Sequence, residues 1–314
     1  MTAMAFTTSS RRDARAPRLS DSRKQRLALP SMDPKAMLHT GKVRAIARGM
    51  AFATTLGAPL GVKAADLAAP DAVSAQANDW LAIDLGAAAV TDLRFRGVSY
   101  SDGKPAVYGY AQARIADWLY AGMFASTVDF PARYGLSDPD MKLNFWGGLK
   151  HQWDNFGLES GFMYYYYPGE RPFPGARQTD YWEIFANPTF QITSALSIAA
   201  TINWTSDWLN TDAHATYLSV TPKLTLDPMW GGKVQPYVSG GVGALLYRKS
   251  DYFSAAKDYL DWNVGAGFTI NNTTFDVRYV DTNLKRSECT VDVGHRSWCG
   301  ATVIGKVAVD FTLK

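Results

Sequence analysis

Between residues 260 and 270 the chain reads LDWNVGAGFTI, and the alternation there constrains the fold more than any other feature of the sequence. Leu260, Trp262, Val264, Ala266, Phe268 and Ile270 fall on one face of an extended chain, and Asp261, Asn263, Gly265, Gly267 and Thr269 on the other. Strand side chains point alternately to two faces, so a period of two builds an amphipathic strand. The same period governs 195–205, where Leu196, Ile198, Ala200, Ile202 and Trp204 oppose Ser197, Ala199, Thr201 and Asn203. It returns at the end, where Val307, Val309, Phe311 and Leu313 oppose Lys306, Ala308, Asp310 and Thr312.

Length separates a soluble sandwich from a membrane barrel. The pattern predicts strands over 81–96, 105–115, 118–128, 141–151, 156–166, 180–191, 195–205, 213–226, 234–247, 258–270, 273–282 and 301–313. Each reaches the ~9–11 residues that a tilted strand needs to cross a bilayer. Soluble strands run ~5–6. The connections alternate as well. Turn-rich links at 97–104, 129–140, 167–179, 206–212, 248–257 and 283–300 are separated by tight ones such as Asn271-Asn272, with 227–233 the exception. Outer-membrane barrels have short periplasmic turns and longer outer loops. The expected fold is therefore all-β: a transmembrane antiparallel up-and-down β-barrel of about twelve strands over 80–314, in the cell outer membrane. Pro188, Pro222 and Pro236 resist this reading, since each removes a ladder donor inside a predicted strand. Gly240, Gly241 and Gly243 mark a bulge or a close backbone approach.

The segment before the barrel divides in three. Residues 1–36 are an Arg- and Ser-rich extension without periodicity, or lie upstream of a working start at Met37. Residues 37–64 have the form of a signal peptide: Lys42, Arg44 and Arg48, then an apolar stretch, then Val62-Lys63-Ala64 before a cut. Residues 65–79 are a short periplasmic lead-in. The chain's formal charge of +3 belongs to this presequence, because 1–64 holds 12 Lys+Arg against 3 Asp+Glu. The remainder is acidic, and no basic patch argues for nucleic acid.

With the aliphatic face toward lipid, the polar face lines the lumen. The first strand would contribute Asp84, Asp92, Arg94 and Arg96. Others are Arg114, Lys142, Lys150, Glu159, Glu183, Lys223, Asp261, Asp276, Arg278, Lys306 and Asp310. These side chains either line a wet pore for small solutes and ions or pair across the lumen and plug it. Twelve strands leave an interior between filled eight-stranded barrels and open channels of ~16–18. The near balance of signs predicts weak ion selectivity. Asp92 with Arg94 and Arg96 forms an internal cluster, read as an ion pair holding the wall or as a solute contact. Trp80, Trp118, Tyr120, Tyr164 to Tyr167, Tyr181, Trp182, Trp204, Trp208, Tyr247, Tyr259 and Trp262 cluster near strand ends, as aromatic girdles at two lipid–water interfaces do.

Cys289 and Cys299 are expected to form a local disulfide in the 283–300 loop of an exported protein. No cofactor or metal is expected. Asp138 and Asp140 alone fall short of the ~6–8 oxygens that calcium takes. Outer-membrane lipid hydrolases need a nucleophile and a base on adjacent strands. His214 and Ser219 lie ~17 Å apart along a strand and on opposite faces, while His151 and His295 sit in a turn and a loop. The chain is accordingly read as a porin-like channel and not an enzyme. A structural barrel, or a receptor or adhesion barrel using the 168–179 and 283–300 loops, is the alternative, and a lipid hydrolase a further one. Its partners would be outer-membrane lipids, small solutes and the barrel-assembly machinery, which would meet a last strand with Phe311 three places before Lys314.

Two stretches carry a family resemblance. TDLRFRGVSYSDGKPAVYGY at 91–110 resembles the first hairpin of the TorF family of porin-like proteins. FMYYYYPG at 162–169 followed by DYWEIFAN at 180–187 resembles that family's middle section. The late cysteine pair and the alternating last strand fit too, so the resemblance covers most of 80–314. It implies an outer-membrane barrel with a pore role and supplies neither a substrate nor catalytic residues.

Overall fold

The computed structural model describes residues 80–314 apart from 117, 132–135, 173–176 and 249–256. The expected extension, signal peptide and lead-in lie outside the described residues.

Twelve antiparallel strands close a barrel. In chain order the strands are β1 (Leu81–Val90), two short strands β2 (Arg94–Phe95) and β3 (Val98–Ser99), β4 (Ala106–Ile115), β5 (Leu119–Thr127), β6 (Met141–Trp153) and β7 (Phe156–Tyr166). They continue with β8 (Tyr181–Gln191), β9 (Leu196–Thr205), β10 (His214–Thr225), β11 (Val234–Arg248), β12 (Tyr259–Ile270), β13 (Thr273–Thr282) and β14 (Thr302–Leu313). From β4 onward each wall strand pairs with its sequence neighbours. β1 pairs with β4 on one side and closes the wall against β14 on the other, from Ile83↔Leu313 to Val90↔Lys306. An α-helix, α1 (Arg286–Val293), sits in the last long connection.

The alternation selects the faces. Val242, Val264, Val277 and Val303 point outward and are more than half exposed, with Leu149, Phe311 and many other apolar side chains around them. Monomeric soluble proteins rarely expose apolar patches beyond a few hundred Å². A belt of this kind is the surface of a barrel solvated by lipid, where closure satisfies every backbone group.

The prolines do not shift the register. β10 and β11 pair from His214↔Arg248 to Val220↔Val242 and resume in the same register at Lys223↔Ser239. Only the rungs at Thr221 and Pro222 are missing on that side, and β9 still pairs with both residues. β8 loses the two rungs at Asn187 and Pro188 against β9 in the same way. Register also runs unbroken through Gly240, Gly241 and Gly243, so no bulge lies there. At Gly243 the reason is close approach: a Cβ would meet the Tyr217 hydroxyl and, at 2.5 Å, the Asp261 carboxylate.

The first predicted strand is too long. The wall strand ends at Val90, opposite Ala106, and Thr91 makes a last contact with β14 through its amide to the Gly305 carbonyl at 3.0 Å. The chain then turns into the lumen as the β2–β3 hairpin. Arg96 and Gly97 form its tip, both in the left-handed region at φ 52° and 79°. That is the pattern of the tight primed turns that suit twisted hairpins. A Cβ at Gly97 would also meet Thr282 and Asp261 at 2.6 and 2.7 Å, so the tip fits closely against the wall.

Candidate functional site

Asp92, Arg94 and Arg96 are buried, but they belong to the inserted hairpin and not to the wall as expected. The Asp92 carboxylate organises the hairpin. It takes a 2.7 Å ion pair from Arg94 Nε, a 2.6 Å hydrogen bond from Ser99 and one of 3.2 Å from Ser101. Arg94 also donates to the Gly97 carbonyl at 2.8 Å. The expected Asp92–Arg94 pair is therefore present, and it holds the hairpin together.

Arg96 reaches across the lumen instead. Its Nη2 donates to Glu183 Oε2 on β8 at 2.8 Å, with both side chains almost fully buried. Tyr165 of β7 and Asn203 of β9 donate to the same oxygen at 2.9 and 2.7 Å. The guanidinium carbon lies 4.5 Å from the Tyr217 ring centre, 4.6 Å from that of Phe95 and 5.1 Å from that of Trp208. Such contacts attract cations electrostatically. The Arg96 carbonyl accepts from the Tyr259 hydroxyl at 3.0 Å. Lys142 is also wholly buried, its ammonium 4.1, 4.9 and 5.0 Å from the ring centres of Phe95, Tyr100 and Tyr165. Neither Lys142 Nζ nor Arg96 Nη1 finds a further hydrogen-bond partner among the described residues.

Around the hairpin the interior is aromatic. Tyr165 stacks on Tyr181 at 4.3 Å, Tyr181 meets Trp208 at 4.9 Å, and Phe95 and Tyr100 bring the hairpin into the same cluster. This corrects the girdle expectation. Trp80, Trp118, Tyr164, Tyr166, Trp204 and Trp262 do face outward. Tyr120, Tyr165, Tyr167, Tyr181, Trp208 and Tyr259 are buried inside, and Tyr247 packs against that core. In a run such as Tyr164 to Tyr167 a period of two must send alternate rings to opposite sides.

The remaining charged side chains of the polar face are mostly engaged with one another. Arg114 forks onto Asp84 at 2.6 and 3.0 Å, and Thr312 donates to Asp84 at 2.8 Å. Arg278 binds Asp276, Asn263 and Ser239, and Tyr237 donates to Asp276 at 2.7 Å. The Lys223 ammonium rests on the Tyr237 ring at 4.3 Å, and Tyr110 donates to Asp310 at 2.7 Å. Tyr217 donates to Asp261 Oδ1 at 3.3 Å. Lys150 and Glu159 are register partners on β6 and β7, half-buried near a short turn. Lys306, also half-buried, pairs in register with Asp276.

A clamp covers the hairpin at the long-loop end. Cys289 and Cys299 form a disulfide. Ser99 N donates to the Trp298 carbonyl and Arg94 Nη1 to the Gly300 carbonyl, both at 3.0 Å, while Trp298 Nε1 donates to Asp102 at 2.8 Å. The hairpin is thus held by residues flanking Cys299. Glu288 of α1 is held below the ordinary carboxylate range by Lys257, which donates to it at 2.7 Å, and by the Lys285 amide. Among the histidines, His151 stacks on Trp118 at 3.9 Å, His214 lies near Trp204, and His295 contacts Ser297 within its loop.

These features define the class: a membrane-type β-barrel whose lumen is occupied at one end by its own first long connection. The chain belongs to the Gcw_chp family of bacterial proteins of unknown function, whose profile matches residues 40–311. No curated protein shows significant similarity to it. Solved structures with a similar fold include the KdgM porin (9% identity, 74% of this chain and 99% of that one, TM-score 0.41). An outer-membrane channel from Pseudomonas putida F1 is similar at 9% identity, over 76% of this chain and all of the other, with a TM-score of 0.42. LpxR from Salmonella typhimurium is similar at 9% identity, over 73% and 99%, with a TM-score of 0.40.

Proposed function

We propose that this protein is an outer-membrane channel for small solutes or ions whose mouth is closed by the 91–105 segment in this state. The observation that carries the reading is the hairpin itself. A barrel meant only as a scaffold can fill its core with side chains from the wall, as eight-stranded barrels do. Here the wall is wide enough to need a separate piece of chain. That piece is held by ion pairs and hydrogen bonds, which can be exchanged for water, and by the burial of Leu93, Phe95, Val98 and Tyr100. The apolar belt supports a bilayer location, and the resemblance to the TorF family supports a pore role and export to the outer membrane. The reading is of a non-catalytic protein.

The long loops lie at the end opposite Leu81 and Leu313, so the closed mouth faces outward if the barrel is inserted as such barrels are. One observation favours a second reading, a barrel that never conducts: the hairpin and the wall side chains that it meets form one buried cluster among the described residues. Planar-bilayer recordings of the intact protein and of a form lacking residues 92–104 separate the two. Rare openings in the first and steady conductance in the second support the channel. A correctly folded deletion form that stays silent sinks it.

A further inference from the structure

The pocket that receives Arg96 has more acceptor and ring surface than a simple wall contact needs. Its parts belong to the wall and to the connection between β9 and β10, not to the hairpin. Tyr165 and Asn203 already orient Glu183, both donating to Oε2. Trp208 and Tyr217 supply ring faces at 5.1 and 4.5 Å from the guanidinium carbon. Tyr217 leads on to Asp261, whose Oδ2 is buried and has no hydrogen-bond partner among the described residues. Two carboxylates beside two aromatic faces form a receptor for a flat or compact cation.

We propose that this pocket is a binding site for cationic groups, guanidinium or primary ammonium, and that Arg96 occupies it in the closed state as an internal stand-in for a basic solute. The proposal rests on the channel reading only for the step in which the hairpin leaves. An anionic solute would meet Glu183 and Asp261 without enough opposing charge. The other buried cation near the pocket, Lys142, keeps its ammonium against Phe95, Tyr100 and Tyr165, and two of those rings depart with the hairpin. Lys142 would then be free to turn toward water, which lowers its repulsion of a guest. A basic solute arriving from outside would compete with Arg96 for Glu183, so binding and opening would be linked.

Calorimetric titration of full-length Arg96→Gly in detergent micelles with methylguanidinium tests the site. Saturable binding is expected in this variant. Binding should be weaker by about ten- to a hundredfold in Arg96→Gly with Glu183→Gln, as the loss of one charge-assisted hydrogen bond implies, and weaker too in the wild-type protein, where Arg96 must first be displaced. Succinate, the anionic control, should not bind. Absence of binding to a folded Arg96→Gly protein, or equal binding after Glu183→Gln, overturns the proposal. The form lacking 92–104 gives a second measurement should Arg96→Gly misfold. Block of its current by methylguanidinium, relieved by Glu183→Gln, supports the site. Conductance indifferent to methylguanidinium refutes the site and leaves the channel standing. A silent deletion form that still binds methylguanidinium refutes the channel and leaves the site.

Discussion

Glu183→Gln is the most direct perturbation of the closed mouth. Glu183 and Arg96 are 1% and 3% exposed and 2.8 Å apart, so neither charge has water to fall back on while the hairpin is seated. Removing one partner of such a pair costs ~3–5 kcal/mol, because the other is left buried and unpaired. The lower end applies here: Gln keeps an acceptor oxygen, and the ring faces of Phe95, Trp208 and Tyr217 still stabilise the guanidinium. With the hairpin withdrawn Arg96 is hydrated, so the loss falls on the closed form alone. At 1.4 kcal/mol per decade, ~3 kcal/mol moves the closed–open balance by about a hundredfold. Val98→Cys reports on that balance, because Val98 is 3% exposed in the hairpin and the native cysteines are tied to each other. Maleimide labelling of Cys at this position should be about a hundredfold faster with Glu183→Gln than without it, provided that opening and reclosing are fast. Equal labelling in two folded proteins would refute the latch.

Other perturbations act on separate parts. Replacing Cys289 and Cys299 by Ser removes a cross-link worth ~2–3 kcal/mol for a loop of this size; protease cutting within 283–301 and bilayer openings should both increase while the barrel stays intact on unheated gels. Val264→Arg places a charge at mid-depth on the lipid face of β12 and should cost ~2–4 kcal/mol in urea titrations of vesicle-inserted protein, against near zero for the same change at a loop. Gly148→Ala drives a Cβ into the Ser160 carbonyl of the paired strand and should lower the yield of folded barrel sharply on refolding. Glu288 titrates below its ordinary value because Lys257 and the Lys285 amide favour its charged form. Its contribution is therefore present above the unfolded carboxylate range and lost as pH falls through the depressed value. Amide protection in α1, taken relative to the intrinsic exchange rate at each pH, should fall in that acid window, and Lys257→Met should remove most of the effect.

The wall was legible because one of its faces must meet lipid along the whole length of each strand. Eleven of the wall strands begin and end within two residues of their expected positions, and the prolines fit by omitting rungs. The inserted hairpin was hidden for a specific reason. Leu93 and Phe95 alternate with Arg94 and Arg96, so the segment continues the strand rhythm after leaving the wall. The signal that breaks the rhythm is Arg96-Gly97, a two-residue turn within what reads as one strand. The site around Arg96 shared that obscurity. Alternation assigns Glu183 to the polar face, but Tyr165, Asn203, Trp208 and Tyr217 are brought to it by three strands and a loop with no common motif. The tyrosine run shows the limit most clearly: composition marks Tyr164 to Tyr167 as interfacial, whereas only parity tells which rings meet lipid and which fill the lumen.

The hydrogen bonds that shape the hairpin are mostly its own. Asp92 binds Arg94, Ser99 and Ser101, the Leu93 amide donates to Ser101, and Tyr100 N donates to the Leu93 carbonyl. These stay satisfied wherever the segment goes, so leaving the lumen does not require it to unravel. On the channel reading the motion would be that of a preassembled cork turning about Thr91 and Pro105, not of a loop that melts. Opening would therefore appear as a single step, with a positive heat-capacity change from exposing Leu93, Phe95, Val98 and Tyr100, on the microsecond-to-millisecond scale of hinged pieces.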